Sequence, residues 1–271
     1  MSVTSKSPIG LFDSGVGGLT VAHAVNKLLP DERLVYFGDT AHLPYGDKSL
    51  AAIQAYSVKI TDVLLQAGCK VILIACNTAS AAAYDLVKEY TGSRARVFNV
   101  IDPVVDHARE HFAQKRIGLI ATKQTIASQT YQRKIEALEE GIDLRALATP
   151  LLVPMIEEGF LHNKISRQII DTYLGEDTLQ GIEAIILGCT HYPLIKKEVS
   201  AYYKDEVAVL DSSEIVARAL RGYLEYNNLL ARPTEPPAHT FMVSDYTDNF
   251  EHSTRLFFGK EVRLQKHKLW E

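Results

Sequence analysis

The residues best suited to chemistry in this 271-residue chain are two cysteines in matched settings. Cys76 lies in Ala75-Cys76-Asn77-Thr78 after the apolar run from Val71, and Cys189 lies in Gly188-Cys189-Thr190-His191-Tyr192-Pro193 after Ala184–Leu187. A thiol where a strand hands over to a helix sits near unpaired backbone N–H groups and the positive end of the helix dipole, both of which favour the thiolate. Three chemistries use such thiols. A hydrolytic site would join Cys189 as nucleophile to His191 as base beside a backbone oxyanion hole, which leaves Cys76 idle. A redox pair needs Cα atoms about 5.5 Å apart, a distance no sequence reports. A two-base inversion uses both thiols: one thiolate takes a proton from one face of a carbon while the opposed thiol delivers a proton to the other face, without a cofactor. The third cysteine, Cys69, follows Gly68 ahead of a strand and reads as core or surface filler.

Residues directly after parallel strands face the ligand in open α/β sheets, and two further segments fall there. Phe12-Asp13-Ser14-Gly15-Val16-Gly17-Gly18 reads as a strand end, a glycine-rich turn and a helix from Leu19, which lets backbone N–H groups approach an anion. Its glycine spacing matches neither GxGxxG nor GxxxxGK[ST], so nucleotide binding is not indicated, and Asp13 as a simple helix cap is the competing reading. The polar loop from Phe37 through Asp39-Thr40, His42 and Pro44-Tyr45-Gly46 is longer than an ordinary βα connection, as functional loops often are. His107 and His111 stand four residues apart on a predicted helix but lack a third ligand, so no metal is assigned.

The elements that must position these residues follow from hydrophobic periodicity. Short β-branched runs at Pro8–Phe12, Leu34–Phe37, Val71–Ala75, Arg96–Val100, Arg116–Ala121, Asp143–Ala148, Ala184–Gly188 and Val207–Leu210 alternate with helical patterns such as Ser49–Gln66, Ser80–Glu89, Thr125–Glu140 and Ser166–Leu174. That alternation predicts an α/β fold with mostly parallel strands and right-handed crossovers. Ile9-Gly10-Leu11 recurs as Ile117-Gly118-Leu119, and Val71–Cys76 is echoed by Ala184–Cys189, at the similar offsets of 108 and 113 residues. Two similar α/β units are expected rather than one long sheet. The proline-rich stretch Ala231–Ala238 predicts a loop, followed by a strand at Thr240–Val243 and a helix at Thr247–Phe258 that return to complete one unit.

Composition excludes other classes. Hydrophobic residues make up 46% and charged residues 23%, enough for a sizeable core. With 29 basic against 33 acidic residues and a net charge of −4, and only the short cluster Arg263–Lys268, no nucleic-acid partner is expected. The apolar runs are too short to cross a membrane, and the residues from Met1 to Pro8 do not read as a secretory signal, so a cytoplasmic protein is expected. Three cysteines without CxxC spacing argue against a disulfide framework or zinc ribbon.

In chain order, the Asp13 to Gly18 turn, Gly38-Asp39-Thr40 with Pro44-Tyr45-Gly46, Ala75-Cys76-Asn77-Thr78 and Gly188-Cys189-Thr190-His191-Tyr192-Pro193 closely resemble the glutamate racemases of the aspartate/glutamate racemase superfamily, along nearly the whole chain. Thr122 with Thr125, Val153-Pro154 with Glu157, and Asp211-Ser212-Ser213 add smaller matches, while His42 is less typical. The resemblance implies two pseudo-symmetric α/β domains with mostly parallel sheets, residues 1–99 plus 209–271 and residues 100–208, with the active site in the cleft between them. It implies cofactor-independent racemisation of L-glutamate to D-glutamate, supplying peptidoglycan synthesis, in a homodimer. An aspartate or broad-specificity amino-acid racemase is the alternative. It casts Cys76 as the base or acid for D-glutamate and Cys189 as its counterpart for L-glutamate, with Asp13, His191 and Glu157 assisting. Ser14, Tyr45, Gly46, Asn77, Thr78, Thr122, Thr125 and Thr190, together with Asp13 and His191, would bind the substrate.

Overall fold

The computed structural model describes residues 3–232 and 235–270. Met1, Ser2 and Glu271, and Pro233 and Thr234 within the expected proline-rich loop, lie outside the described residues. Strands β1 (Ile9–Asp13), β2 (Leu34–Gly38), β3 (Val71–Ile74) and β4 (Arg96–Asn99) join β9 (Thr240–Val243) and β10 (Leu264–Lys266) in one sheet of order β10-β9-β2-β1-β3-β4. Strands β5 (Arg116–Ala121), β6 (Asp143–Ala148), β7 (Ala184–Gly188) and β8 (Ala208–Asp211) form a second sheet of order β6-β5-β7-β8. Every pairing among the described strands is parallel, from Ile9 opposite Leu34 to Leu187 opposite Asp211. The order β2-β1-β3-β4 is repeated as β6-β5-β7-β8, so the two halves of the sequence repeat occupy equivalent strands: β1 with β5, and β3 with β7.

Alternation within the strands sorts the core. Ile9 and Leu11 face a cluster that continues through the helix Leu19–Leu28 and the helix Ser212–Tyr226 to Ile185 and Leu187 of the second sheet. Phe12 faces the opposite cluster with Ile72 and Ile74, under the helices Leu50–Gln66 and Asn77–Thr91. Ile117, Leu119, Ala184 and Ile186 fill the far face of the second sheet. Each sheet is therefore covered on both faces, as parallel sheets require, and one apolar layer is shared by both.

Several expectations are corrected. The expected boundary between residues 208 and 209 cuts β8, whose pairing with β7 places Ala208–Asp211 in the second sheet. The helix expected at Ser80–Glu89 starts at Asn77, because Cys76 itself caps it. The helix expected at Thr125–Glu140 is two helices, Lys123–Ala127 and Thr130–Glu136. Ser128 Oγ donates to Thr125 O at 2.7 Å and accepts from Thr130 N at 3.2 Å, and Gln129 turns left-handed at φ 53°, so a side chain competes with the helical ladder. The basic cluster Arg263–Lys268 contains the unexpected edge strand β10, where Lys266 Nζ donates to Asp245 Oδ1 at 2.6 Å; charge on an edge discourages pairing with another chain.

Lys70, just ahead of β3, is fully buried with Glu32, their charged atoms 2.6 Å apart. Lys70 Nζ also donates to Ser5 O and Leu229 O at 2.8 Å, and Glu32 Oε1 accepts from Ala231 N at 2.8 Å. This pair ties the chain's beginning to the exit of the helix Ser212–Tyr226. Removing one partner strands a buried charge, so Lys70→Met is expected to cost about 3–5 kcal/mol, or roughly 6–20 °C of melting temperature. The double variant Lys70→Met with Glu32→Leu should recover most of that loss; thermal melts showing an unperturbed single variant would contradict the assignment.

Candidate active site

The carboxyl ends of β1, β2, β3, β5, β6 and β7 surround a cavity of about 370 Å³ lined by both Cys76 and Cys189. Each thiol is 6% exposed, yet the two differ in surroundings. Cys76 Sγ caps the helix Asn77–Thr91, accepting from Ala79 N at 3.4 Å, and lies 3.7 Å from Ser14 Oγ. Cys189 is followed not by an α-helix but by the short 3-10 turn Tyr192–Ile195. Its Sγ lies 3.6 Å from His191 Nδ1, whose Nε2 is 3.0 Å from Glu157 Oε1.

The expectation that a helix start favours the thiolate does not hold for free Cys76. Burial, and next the negative charge of Asp13, push its thiol up to about 12, outweighing the Ala79 N–H and Ser14 hydroxyl. For His191 burial acts against the imidazolium, but its contacts with Cys189 and Glu157 prevail and raise it to about 10. Burial also raises Asp13, against the opposing pull of His191 and of the Gly18, Gly15 and Ser14 amides. Asp13 Oδ2 accepts from Gly15 N at 3.0 Å, while its buried Oδ1 has no partner among the described residues.

Between the thiols the walls are rich in donors. Tyr131 OH donates to Asn77 Oδ1 at 2.8 Å, which fixes the amide and leaves the buried Nδ2 without a partner among the described residues. The hydroxyls of Thr78, Thr122 and Thr125 form a triangle with sides of 3.0, 3.2 and 3.0 Å that joins the two sheets' loops. Tyr45 OH donates to Asp39 Oδ2 at 2.6 Å, and Ser244 Oγ and His42 Nδ1 lie 2.6 and 2.8 Å from Asp39 Oδ1, so the Tyr45-Gly46 turn is held from beneath. Oriented N–H and O–H groups of this kind can stabilise developing negative charge.

Of the expected site residues, Ser14, Tyr45, Gly46, Cys76, Asn77, Thr78, Thr122, Glu157, Cys189, Thr190 and His191 line the cavity. Asp13 and Thr125 are buried behind its wall and reach it through neighbours. Asp211-Ser212-Ser213 lies away from the cavity, where Asp211 caps the helix Ser212–Tyr226 through Ser213 N at 2.9 Å. His107 and His111 are also outside it. Sequence reasoning missed Lys123, Asp47, Thr149 and Pro150 among the lining residues; inspecting the residues after β6 as well would have found Thr149-Pro150.

Residues 19–220 match the Asp/Glu/Hydantoin racemase family. The chain is 40% identical to the glutamate racemase of Chlorobaculum tepidum over 260 residues, covering 96% of this chain and 95% of that protein. Its structure is similar to that of Francisella tularensis glutamate racemase in complex with D-glutamate, with a TM-score of 0.90, 36% identity and 98% of both chains covered. It is also similar to Thermus thermophilus glutamate racemase in complex with β-chloro-D-alanine, with a TM-score of 0.88, 38% identity and again 98% of both chains.

Because His191 titrates higher in the folded protein than its ordinary 6.5, its contribution to stability is complete below about pH 6.5 and disappears as pH rises through about 10. Glu157→Gln removes one of the partners that hold the proton. The His191 ring, followed by NMR, should then titrate at lower pH than in the unaltered protein, and the alkaline loss of stability should move the same way; an unchanged titration would show that Glu157 does not act on the imidazole.

Proposed function

The chain belongs to the Asp/Glu/Hydantoin racemase family and, within it, to the glutamate racemases, and from that premise we propose that it interconverts L- and D-glutamate with Cys76 and Cys189 as the two acid–base groups and no cofactor. The observation that carries this reading is the placement of two buried thiols, one after each of two equivalent strands, in one cavity. Starting from D-glutamate, the Cys76 thiolate takes the α-proton and the Cys189 thiol delivers its proton to the opposite face. The products are L-glutamate, a Cys76 thiol and a Cys189 thiolate; the reverse reaction resets the pair.

The side chains around the thiols support this division of labour. An imidazolium at His191 stabilises negative charge on Cys189, and the charge of Asp13, buried behind the cavity wall, favours a substrate ammonium through space. Asn77, Thr78, Thr122 and Thr190 supply donors for the α-carboxylate, where charge accumulates after proton loss. The Ser14 and Tyr45-Gly46 walls take the rest of the substrate. The role that follows is supply of D-glutamate to peptidoglycan synthesis by a cytoplasmic homodimer of two-domain subunits; no helix among the described residues is long and apolar enough to cross a membrane.

Incubating the reduced, chelator-treated protein with L-glutamate in D₂O should abolish the circular dichroism signal while deuterium enters at Cα. Aspartate run in parallel distinguishes the narrow from the broad racemase. Cys76→Ser and Cys189→Ser should each lower turnover about 10²–10⁴-fold, while elimination from a β-leaving-group analogue, which needs deprotonation from one face only, should survive for one enantiomer in each variant. Near-normal racemisation by either variant would remove the two-thiol mechanism.

A further inference from the structure

The charges around the cavity leave one cation unexplained. Its walls carry the carboxylates of Asp47 and Glu157, with Asp13 buried behind them, whereas its only lysine or arginine among the described lining residues is Lys123. The other positive group, His191, is already engaged by Cys189 and Glu157. Lys123 is exposed and next to Thr122, which packs beside Gly46 in the cavity wall: a Cβ on Gly46 would lie 3.6 Å from Thr122 Cβ. No carboxylate among the described residues lies within ion-pair distance of Lys123.

Glutamate carries two carboxylates and one ammonium, so it must enter against this field. With Cα between the thiols, the α-carboxylate is one bond away and stays with the buried donors. The side-chain carboxylate, three bonds from Cα, is the one that can reach the rim. We propose that Lys123 is a specificity-determining residue of the cavity mouth, where its ammonium pairs with the side-chain carboxylate of the incoming substrate and selects the dicarboxylate over its neutral amide. This proposal rests on the glutamate-racemising reading above.

The test compares the unaltered enzyme with Lys123→Gln, Lys123→Arg and Lys123→Glu at low and high salt, with glutamine as a competitor. At low salt Lys123→Gln should raise KM for glutamate about two- to fivefold, the scale of an exposed ion pair, with kcat within about twofold; Lys123→Glu should raise it by about tenfold, and Lys123→Arg should behave as the parent. At about 1 M salt, where the Debye length is about 3 Å, the differences should largely vanish, and the inhibition constant of glutamine should be the same in every variant. Because the two enantiomers are equal in free energy, kcat/KM must fall equally from either side, which checks the data internally. An unchanged KM in Lys123→Glu, or a parallel weakening of glutamine, overturns this proposal while leaving racemisation intact. An unaltered enzyme that exchanges no α-proton of glutamate overturns the underlying reading instead.

Discussion

A Cβ on Gly17 would lie 2.3 Å from His191 Cε1 and 2.8 Å from Thr190 Oγ1, so the turn after β1 can meet the end of β7 only without a side chain at that position. The meeting is fastened two ways. Thr20 Oγ1, in the first turn of the helix Leu19–Leu28, donates to Thr190 O at 2.8 Å, and the apolar layer shared by both sheets continues directly behind it. The carboxyl ends of the two sheets are thereby held face to face, and the groups after β1, β3 and β7 share one small volume. Asp13 and His191, 178 positions apart in sequence, feel each other's charge as a result.

That shared volume imposes an electrostatic requirement. A single thiolate in a dry cavity is costly, two are prohibitive, and the proposed two-base reaction, which can begin with either enantiomer, needs one thiol and one thiolate. The surroundings break the symmetry that the topology creates. Cys76 has a helix start and a neighbouring hydroxyl on one side, but burial and Asp13 decide against the anion. Cys189 has no helix start, but a histidine held by Glu157. Equivalent strands thus present the same atom in opposite electrostatic settings.

The legible part of this fold was the part governed by periodicity and repetition. Strand runs and the Ile-Gly-Leu echo located the two sheets because parallel strands buried on both faces must be continuous and apolar. Even Cys69 was readable: a Cβ on Gly10 would lie 2.9 Å from its Sγ, so it fills the space over the glycine of the repeat. What escaped depends on side-chain competition or on long-range pairing. Ser128 interrupts a helix whose apolar spacing continues past it, β10 is hidden inside a basic run, and β8 joins its sheet by a register that nothing near it in sequence specifies. The site motifs were visible because they follow strands; Lys123 and Thr149 also follow strands, β5 and β6, but without a distinctive motif they are singled out only by the way the loops converge.

Burial and charge make the Cys76 thiol a weaker acid than usual, and the two causes indicate how a substrate would change it. Desolvation is the largest contribution and the Asp13 charge the next. In the proposed reaction a substrate ammonium in the cavity would offset the second of these through space, and the same charge would lower the cost of a thiolate nearby. On the proposed mechanism, binding the substrate would therefore help to create the base that attacks it. A thiol that stays protonated until the amino acid arrives is also a poor nucleophile towards oxidants in the interval, since the thiolate is the reactive form. Burial, which by itself only opposes ionisation, becomes useful once the ligand carries the compensating charge.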